Sequence, residues 1–220
     1  MRGDGGGPAN GRGVHPISVR LGEPRDASTA ASLHARLINE GFLSSLGARF
    51  LGRLYSRITR AEGSFLLIAQ AQQSTVGFIA GSVSVSRLYR SFLLRDGVAA
   101  FLGAPVRLVL SSPRVLETLR HGRGDEVIEG GELLAVAVDP TWRGQHVGGQ
   151  LVDAFLREIE ERGLSAAHVV VGAENAAAIA MYRRAGFAPA RTFELHRGTQ
   201  SLVMQTVVPS RAAPNARPGS

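Results

Sequence analysis

A chain of 220 residues, 44% hydrophobic and 20% charged, is sized for one domain around one sizeable core. It contains no cysteine, which excludes a disulfide scaffold, a thiolate metal site and a cysteine nucleophile. The formal charge is +7, but all 25 basic residues are arginine, and no arginine run is interleaved with aromatics as a nucleic-acid platform requires.

Met1 to Pro16 and Pro209 to Ser220 are rich in Gly, Pro, Ala and Asn, and are predicted to be disordered tails around a domain at 17–208. Arg2 and Arg12 against Asp4, with Arg211 and Arg217, place three of the seven net charges in these tails. The first segment lacks the apolar region of a signal peptide, and no run approaches the roughly 20 apolar residues of a membrane span. Cytoplasmic residence is the expectation.

Ile17 to Leu21 reads as a short strand. Asp26 is the candidate N-cap of a helix with Ala30, Leu33, Leu37 and Ile38 at helical spacing, interrupted by Gly41. From about Ser45 a second helix carries Leu46, Phe50, Leu54 and Ile58 on one stripe, widened by Leu51 and Tyr55. Phe65 to Ala71 and Val76 to Val85 form a hairpin across Gln72 to Thr75. Residues 86–129 hold two apolar clusters, Leu88 to Leu94 and Val98 to Leu110, broken by Gly97, Gly103 and Pro105. A short helix from Ser112-Pro113 to His121 and a polar loop complete what reads as a helical insertion. Glu132 to Val138 is a buried strand, and Val147 to Arg162 a helix with Leu151, Phe155 and Ile159 inward. Ala167 to Val171 is the next strand, Asn175 caps a helix to Arg184, and strands at Phe193 to His196 and Ser201 to Val208 close the domain.

Two phrases carry chemistry. The first, Asp139-Pro140-Thr141-Trp142-Arg143-Gly144-Gln145-His146-Val147-Gly148-Gly149, leaves a strand and enters a helix. A glycine-containing turn at a helix N-terminus aims several backbone N–H groups, and the positive end of the helix dipole, at one anion. The second is Asn175-Ala176-Ala177-Ala178-Ile179-Ala180-Met181-Tyr182, followed by Gly186-Phe187. Its Asn175, Ala178 and Tyr182 share one helix face.

Together these phrases resemble the motifs of the GCN5-related (GNAT) N-acetyltransferases. The resemblance covers 17–208, with its specific motifs in 132–187. It implies an α/β (α+β) fold: a mixed, mostly antiparallel sheet of six to seven strands flanked by helices, with the insertion between the third and fourth strands. It also implies transfer of an acetyl or related acyl group from acyl-CoA to a primary amine of an unidentified acceptor by direct attack. Acetyl-CoA would be the co-substrate, with no metal. The alternative is a non-catalytic acyl-CoA-binding or regulatory domain.

The family's loop pattern places Arg143 and Gly148, but His146 stands where its middle glycine belongs. Cofactor-binding residues implied by the resemblance are the strand backbone of Val136, Ala137 and Val138, the turn Arg143, Gly144, Gln145, His146, Val147, Gly148 and Gly149, and Asn175 and Tyr182. The Tyr182 hydroxyl would protonate the departing thiolate. The base is less plain. In the family's ribosomal-protein alanine acetyltransferases it lies twelve residues before the tyrosine, a position held here by Val170. Glu132 is the first candidate, expected to share a strand face with Leu134, Val136 and Val138. Glu174 and His34 follow. The apolar insertion must bury against the first two helices, a second subunit or the acceptor; a lid over the acceptor groove is the adopted reading, a homodimer interface the alternative.

Overall fold

Seven segments of strand-forming sequence meet in one sheet in a computed structural model whose described residues are 16–38, 47–96, 130–196 and 199–209. They are β1 (Ile17–Leu21), β2 (Ser64–Ala71), β3 (Ser74–Ser82), β4 (Gly131–Val138), β5 (Ala166–Gly172), β6 (Ala188–His196) and β7 (Thr199–Val207). Their order is β1-β2-β3-β4-β5-β7-β6, and every neighbouring pair is antiparallel except β4 with β5. This is the expected mostly antiparallel sheet of seven strands.

The apolar helix stripes decide which face each helix covers. On one face lie α1 (Ala27–Leu37), α2 (Gly47–Ile58) and α3 (Val85–Arg95). There Phe50, Leu51, Leu54, Tyr55 and Ile58 of α2 are buried, as their spacing predicts, against Phe78, Ala80 and Ala137 of the sheet. On the other face lie α4 (Val147–Glu161) and α5 (Ala176–Arg184). Leu151, Phe155 and Ile159 of α4 are fully buried there with Ile79, Leu133, Val169 and Met204.

Some boundaries differ from the sequence reading for identifiable reasons. The hairpin turn is two residues, Gln72 and Gln73 with φ of 49° and 70°, since Ala71 already pairs with Ser74. Positive φ at both positions matches the right-handed twist of the two strands. β6 starts at Ala188, ahead of the expected Phe193, because pairing with β7 extends through Pro189 by a shift in register. Asp26 stands at the N-cap position of α1, as expected, but its side chain makes no cap bond there, since the chain enters the helix through a 3-10 turn at Pro24–Asp26. Its carboxylate instead accepts two bonds from Arg20, at 2.7 and 2.9 Å, and one from the Glu23 N–H at 2.7 Å. Those bonds to Arg20 hold its carboxyl below the ordinary range and tie β1 to α1.

Of the insertion, residues 86–95 lie in α3, which begins at Val85. Leu88 and Phe92 bury in the α1–α2 face, with Phe92 edge-on to Phe50 at 5.2 Å, and Asp96 accepts from Arg57 of α2 at 2.6 Å. Leu88 and Phe92 of the first apolar cluster therefore pack on the second helix, whereas Leu94 is exposed. Residues 97–129, the greater part of the 86–129 segment on which the lid and interface readings rest, lie outside the described residues, as do Gly41, Ser45, Leu46 and residues 1–15 and 210–220 of the tails. No helix among the described residues is long and apolar enough to cross a membrane.

A bulge in β4 corrects one expectation about the site. Ala80 pairs with Ala135 and Gly81 with Leu133, so Leu134 has no partner on β3. Leu134 and Ala135 both face the α1–α3 side, while Val136 and Val138 turn to the α4 side with Leu133. Glu132 thus keeps the expected face with Leu134 but not with Val136 and Val138, because one extra residue inverts the alternation.

Candidate active site

The parallel strands β4 and β5 pair over three residues only: Gly131 with Ala167, Glu132 with His168, Leu133 with Val169. Beyond Leu133 they part. Alternate N–H and C=O groups of Leu134 to Val138 that continued pairing would have used face a wedge-shaped opening. Among the described residues no loop backbone takes that place. The sheet thus leaves the expected backbone of Val136, Ala137 and Val138 one-sided, bonded to β3 alone.

At the open end of the wedge, the turn after β4 leads into α4. Asp139 fixes its entry, accepting from the Thr141 N–H at 3.1 Å and hydroxyl at 2.7 Å, and pairs with Arg36 of α1 at 2.7 Å. Those Thr141 bonds, then Arg36, keep the carboxyl below its ordinary range. Arg143, Gly144, Gln145 and His146 are exposed, and Val147 is buried beneath them. His146 occupies the N-cap position of α4 without a side-chain cap. The first N–H groups of α4 are therefore left for a ligand, where the helix dipole is most positive.

His146 resolves the departure from the family pattern. Its φ of 61° and ψ of 14° lie in the left-handed region, as does Gly144 at φ 77°. The backbone demand that favours glycine there persists; a histidine carries it. A Cβ built on Gly149 would lie 2.5 Å from His146 Cε1, so the imidazole rests over Gly149. His146→Gly removes about 1–2 kcal/mol of left-handed strain against roughly 0.5–1 kcal/mol of added chain entropy. Expected results are an unchanged or slightly raised Tm and equal or tighter acetyl-CoA binding by calorimetry. A tenfold weaker affinity would instead make the imidazole a working phosphate ligand.

The second phrase follows β5 and begins α5 at the same open end. Asn175 Oδ1 accepts from the Ala178 N–H at 3.1 Å, the cap its position predicts, so that oxygen is already used. Gly148 joins the two helices: a Cβ there would meet Met181 Sδ at 2.7 Å and Val138 Cγ2 at 3.9 Å. Strand end, turn and α5 thus converge at Gly148. Tyr182 is 3% exposed, its ring 5.7 Å from that of Phe187. Burial raises its phenol well above the ordinary value, so it stays protonated until negative charge develops nearby.

The three base candidates separate clearly. His34 is buried, its Nδ1 is 2.8 Å from the Tyr55 hydroxyl, and burial lowers it to about 4; it is a neutral core histidine. Glu174 is exposed in the turn before α5. Glu132 has a side chain 28% exposed, beside the point where the strands part, and lies 3.4 Å from His168 Nε2. The sequence reading missed His168. Its only signal was a histidine interrupting the apolar run Ala167 to Val171, too weak to single out.

A parted parallel pair beside an uncapped, glycine-bearing helix start presents backbone groups with the chemistry to hold an extended, phosphate-bearing ligand. The sequence model of the Acetyltransferase (GNAT) family matches residues 35–187, and the chain belongs to that family. The mycothiol acetyltransferase of Nocardiopsis dassonvillei is 38% identical over 74 residues, which is 32% of this chain and 22% of that protein. The [ribosomal protein bS18]-alanine N-acetyltransferase of Escherichia coli is 39% identical over 61 residues, 28% of this chain and 41% of that one. The chain therefore spans less than half the length of either relative. The crystal structure of the Escherichia coli ribosomal-protein-S18-alanine N-acetyltransferase superposes with a TM-score of 0.58 at 18% identity, covering 91% of this chain and 98% of that one. A Salmonella typhimurium protein, described as an acetyltransferase with its cofactor acetyl-CoA, gives 0.57 at 18%, with the same coverages. At these identities the likeness is one of fold.

Proposed function

We propose that this protein transfers an acetyl or related acyl group from acyl-CoA to a primary amine. The observation that carries the reading is the β4–β5 opening with the uncapped start of α4 at its mouth. Pyrophosphate would sit on the N–H groups of Val147 to Gly149, and the pantetheine arm along the one-sided backbone of Val136 to Val138. An N–H of that strand would polarise the thioester carbonyl, as an oxyanion hole does. Glu132 would take the proton from the ammonium, whose freed lone pair attacks the acyl carbon. The thiolate leaves with the electrons of the broken C–S bond and takes a proton from Tyr182, which the proton given up by the new amide nitrogen replaces.

Val170 stands where the ribosomal-protein alanine acetyltransferases carry their base, so that substrate is not carried over. Screening a panel of amino sugars, small amines, peptide N-termini and lysyl peptides for thiol release from acetyl-CoA tests the proposal. Saturable acetyl-CoA binding without thiol release for any amine would leave a non-catalytic binding domain. Tyr182→Phe removes one hydroxyl and should lower kcat roughly 10- to 100-fold with little change in cofactor affinity. Wild-type turnover in that variant would return Tyr182 to packing against Phe187.

A further inference from the structure

We propose that His168 is a positioning residue for the Glu132 carboxylate, the two forming a proton-handling pair across the last rungs before β4 and β5 part. This rests on the proposed role of Glu132 as base and adds a residue to it. His168 lies between Ala167 and Val169, both buried on the α4 face, so its imidazole is on the opposite face with Glu132. The two residues are register partners, and Nε2 lies 3.4 Å from Glu132 Oε2. The His168 side chain is 8% exposed against 28% for Glu132, so the imidazole backs the carboxylate from inside. Its Nδ1 is buried and, among the described residues, is the one side-chain N or O atom so buried without a hydrogen-bond partner. A polar atom kept in that condition calls for a role beyond packing.

The groups around the pair fit this role. On β3, Glu132 pairs with Ser82, whose hydroxyl lies 3.1 Å from that of Ser64. On β7, His168 pairs with Gln205, which does not titrate. From α3, Tyr89 reaches the neighbourhood of Glu132: burial first, and then the Glu132 charge, raises its phenol above the ordinary value. Among the described residues Glu132 therefore meets His168 on the sheet and Tyr89 of α3, which stays protonated. Drawn in from 3.4 Å to a hydrogen bond, an Nε2–H on Oε2 would leave Oε1 to receive the ammonium proton and would hold the carboxylate in place as the acceptor binds. Contacts of this kind tighten when the substrate is bound.

Two measurements on the full chain test the pair. Long-range proton–nitrogen NMR should show the His168 ring held as the Nε2–H tautomer in the wild type and released from it in Glu132→Ala. An unchanged tautomer overturns the coupling. The second measurement is a double-mutant cycle with acetyl-CoA and the fastest amine of the panel. His168→Gln, which keeps a donor, should lose little. His168→Phe, which keeps a ring but no donor, should lower kcat/KM for the amine about tenfold and leave the KM for acetyl-CoA unchanged. In a Glu132→Gln background the same change should add nothing, because a positioning residue acts only through its partner. Additive losses, or an equal loss in His168→Gln, would make His168 merely structural. Wild-type turnover in Glu132→Gln would overturn the base assignment and this role with it, while the family's acyl transfer would stand. Absence of thiol release with every amine would overturn both.

Discussion

Gly148→Asp should abolish measurable acetyl-CoA binding, a loss of at least 100-fold, in a protein that still folds. Two effects combine. Any Cβ at this position must displace Met181 Sδ, from which it would stand 2.7 Å, at the point where α5 and the end of β4 approach the start of α4. A methionine can rotate away, so the fold survives. The added carboxylate then sits among the uncapped N–H groups of α4 and opposes any pyrophosphate there. Titration calorimetry, with circular dichroism as the check on folding, reads the result. Gly148→Ala carries the bulk without the charge and should lose far less affinity. Unchanged binding in a folded Gly148→Asp protein would remove the cofactor from this turn.

Gly130→Ala should be the most damaging single methyl in the described structure. Gly130 has a φ of 111°, which side-chain-bearing residues rarely adopt, and an added Cβ would overlap the Ala166 carbonyl group of the strand beside it. Backbone cannot rotate aside as a side chain does. Strain and overpacking together should cost about 3–5 kcal/mol, a fall in Tm on the order of 10 °C for a chain of this size. The next rung is Gly131 with Ala167, so the damage falls on the parallel pair that holds Glu132 and His168. Gly144→Ala is the control: its φ is 77°, but nothing lies within 4 Å of the added Cβ, and its cost should stay near 1 kcal/mol. Equal Tm values for the two variants would show that the Ala166 contact is not what requires glycine at 130.

The order of elements and both site phrases were legible because they are local. Helical spacing in Phe50, Leu54 and Ile58, or in Leu151, Phe155 and Ile159, reports which residues must leave water whatever they pack against. The turn at Arg143 to Gly149 and the cap at Asn175 depend on residues within one helical turn, and their identities survive in the folded chain. Even the substitution at His146 could be located from sequence. Its left-handed φ could not, since histidine does not by itself announce that conformation.

Register, strand parting and side-chain partners were decided only in the tertiary structure. The bulge at Leu134 turns Val136 and Val138 away from the face of Glu132, and no alternation rule for one strand contains an extra residue opposite Gly81 and Ala80. Asp26 reads as a helix cap until Arg20, on a strand six residues earlier, claims its carboxylate. His168 acquires meaning only as the cross-strand partner of Glu132, a residue 36 positions away that reaches it through parallel pairing. Burial periodicity is a property of a segment and its solvent, so the amino-acid sequence by itself determines it. Which segments meet, in what register and where they separate depends on the sum of long-range contacts, which only the assembled sheet specifies.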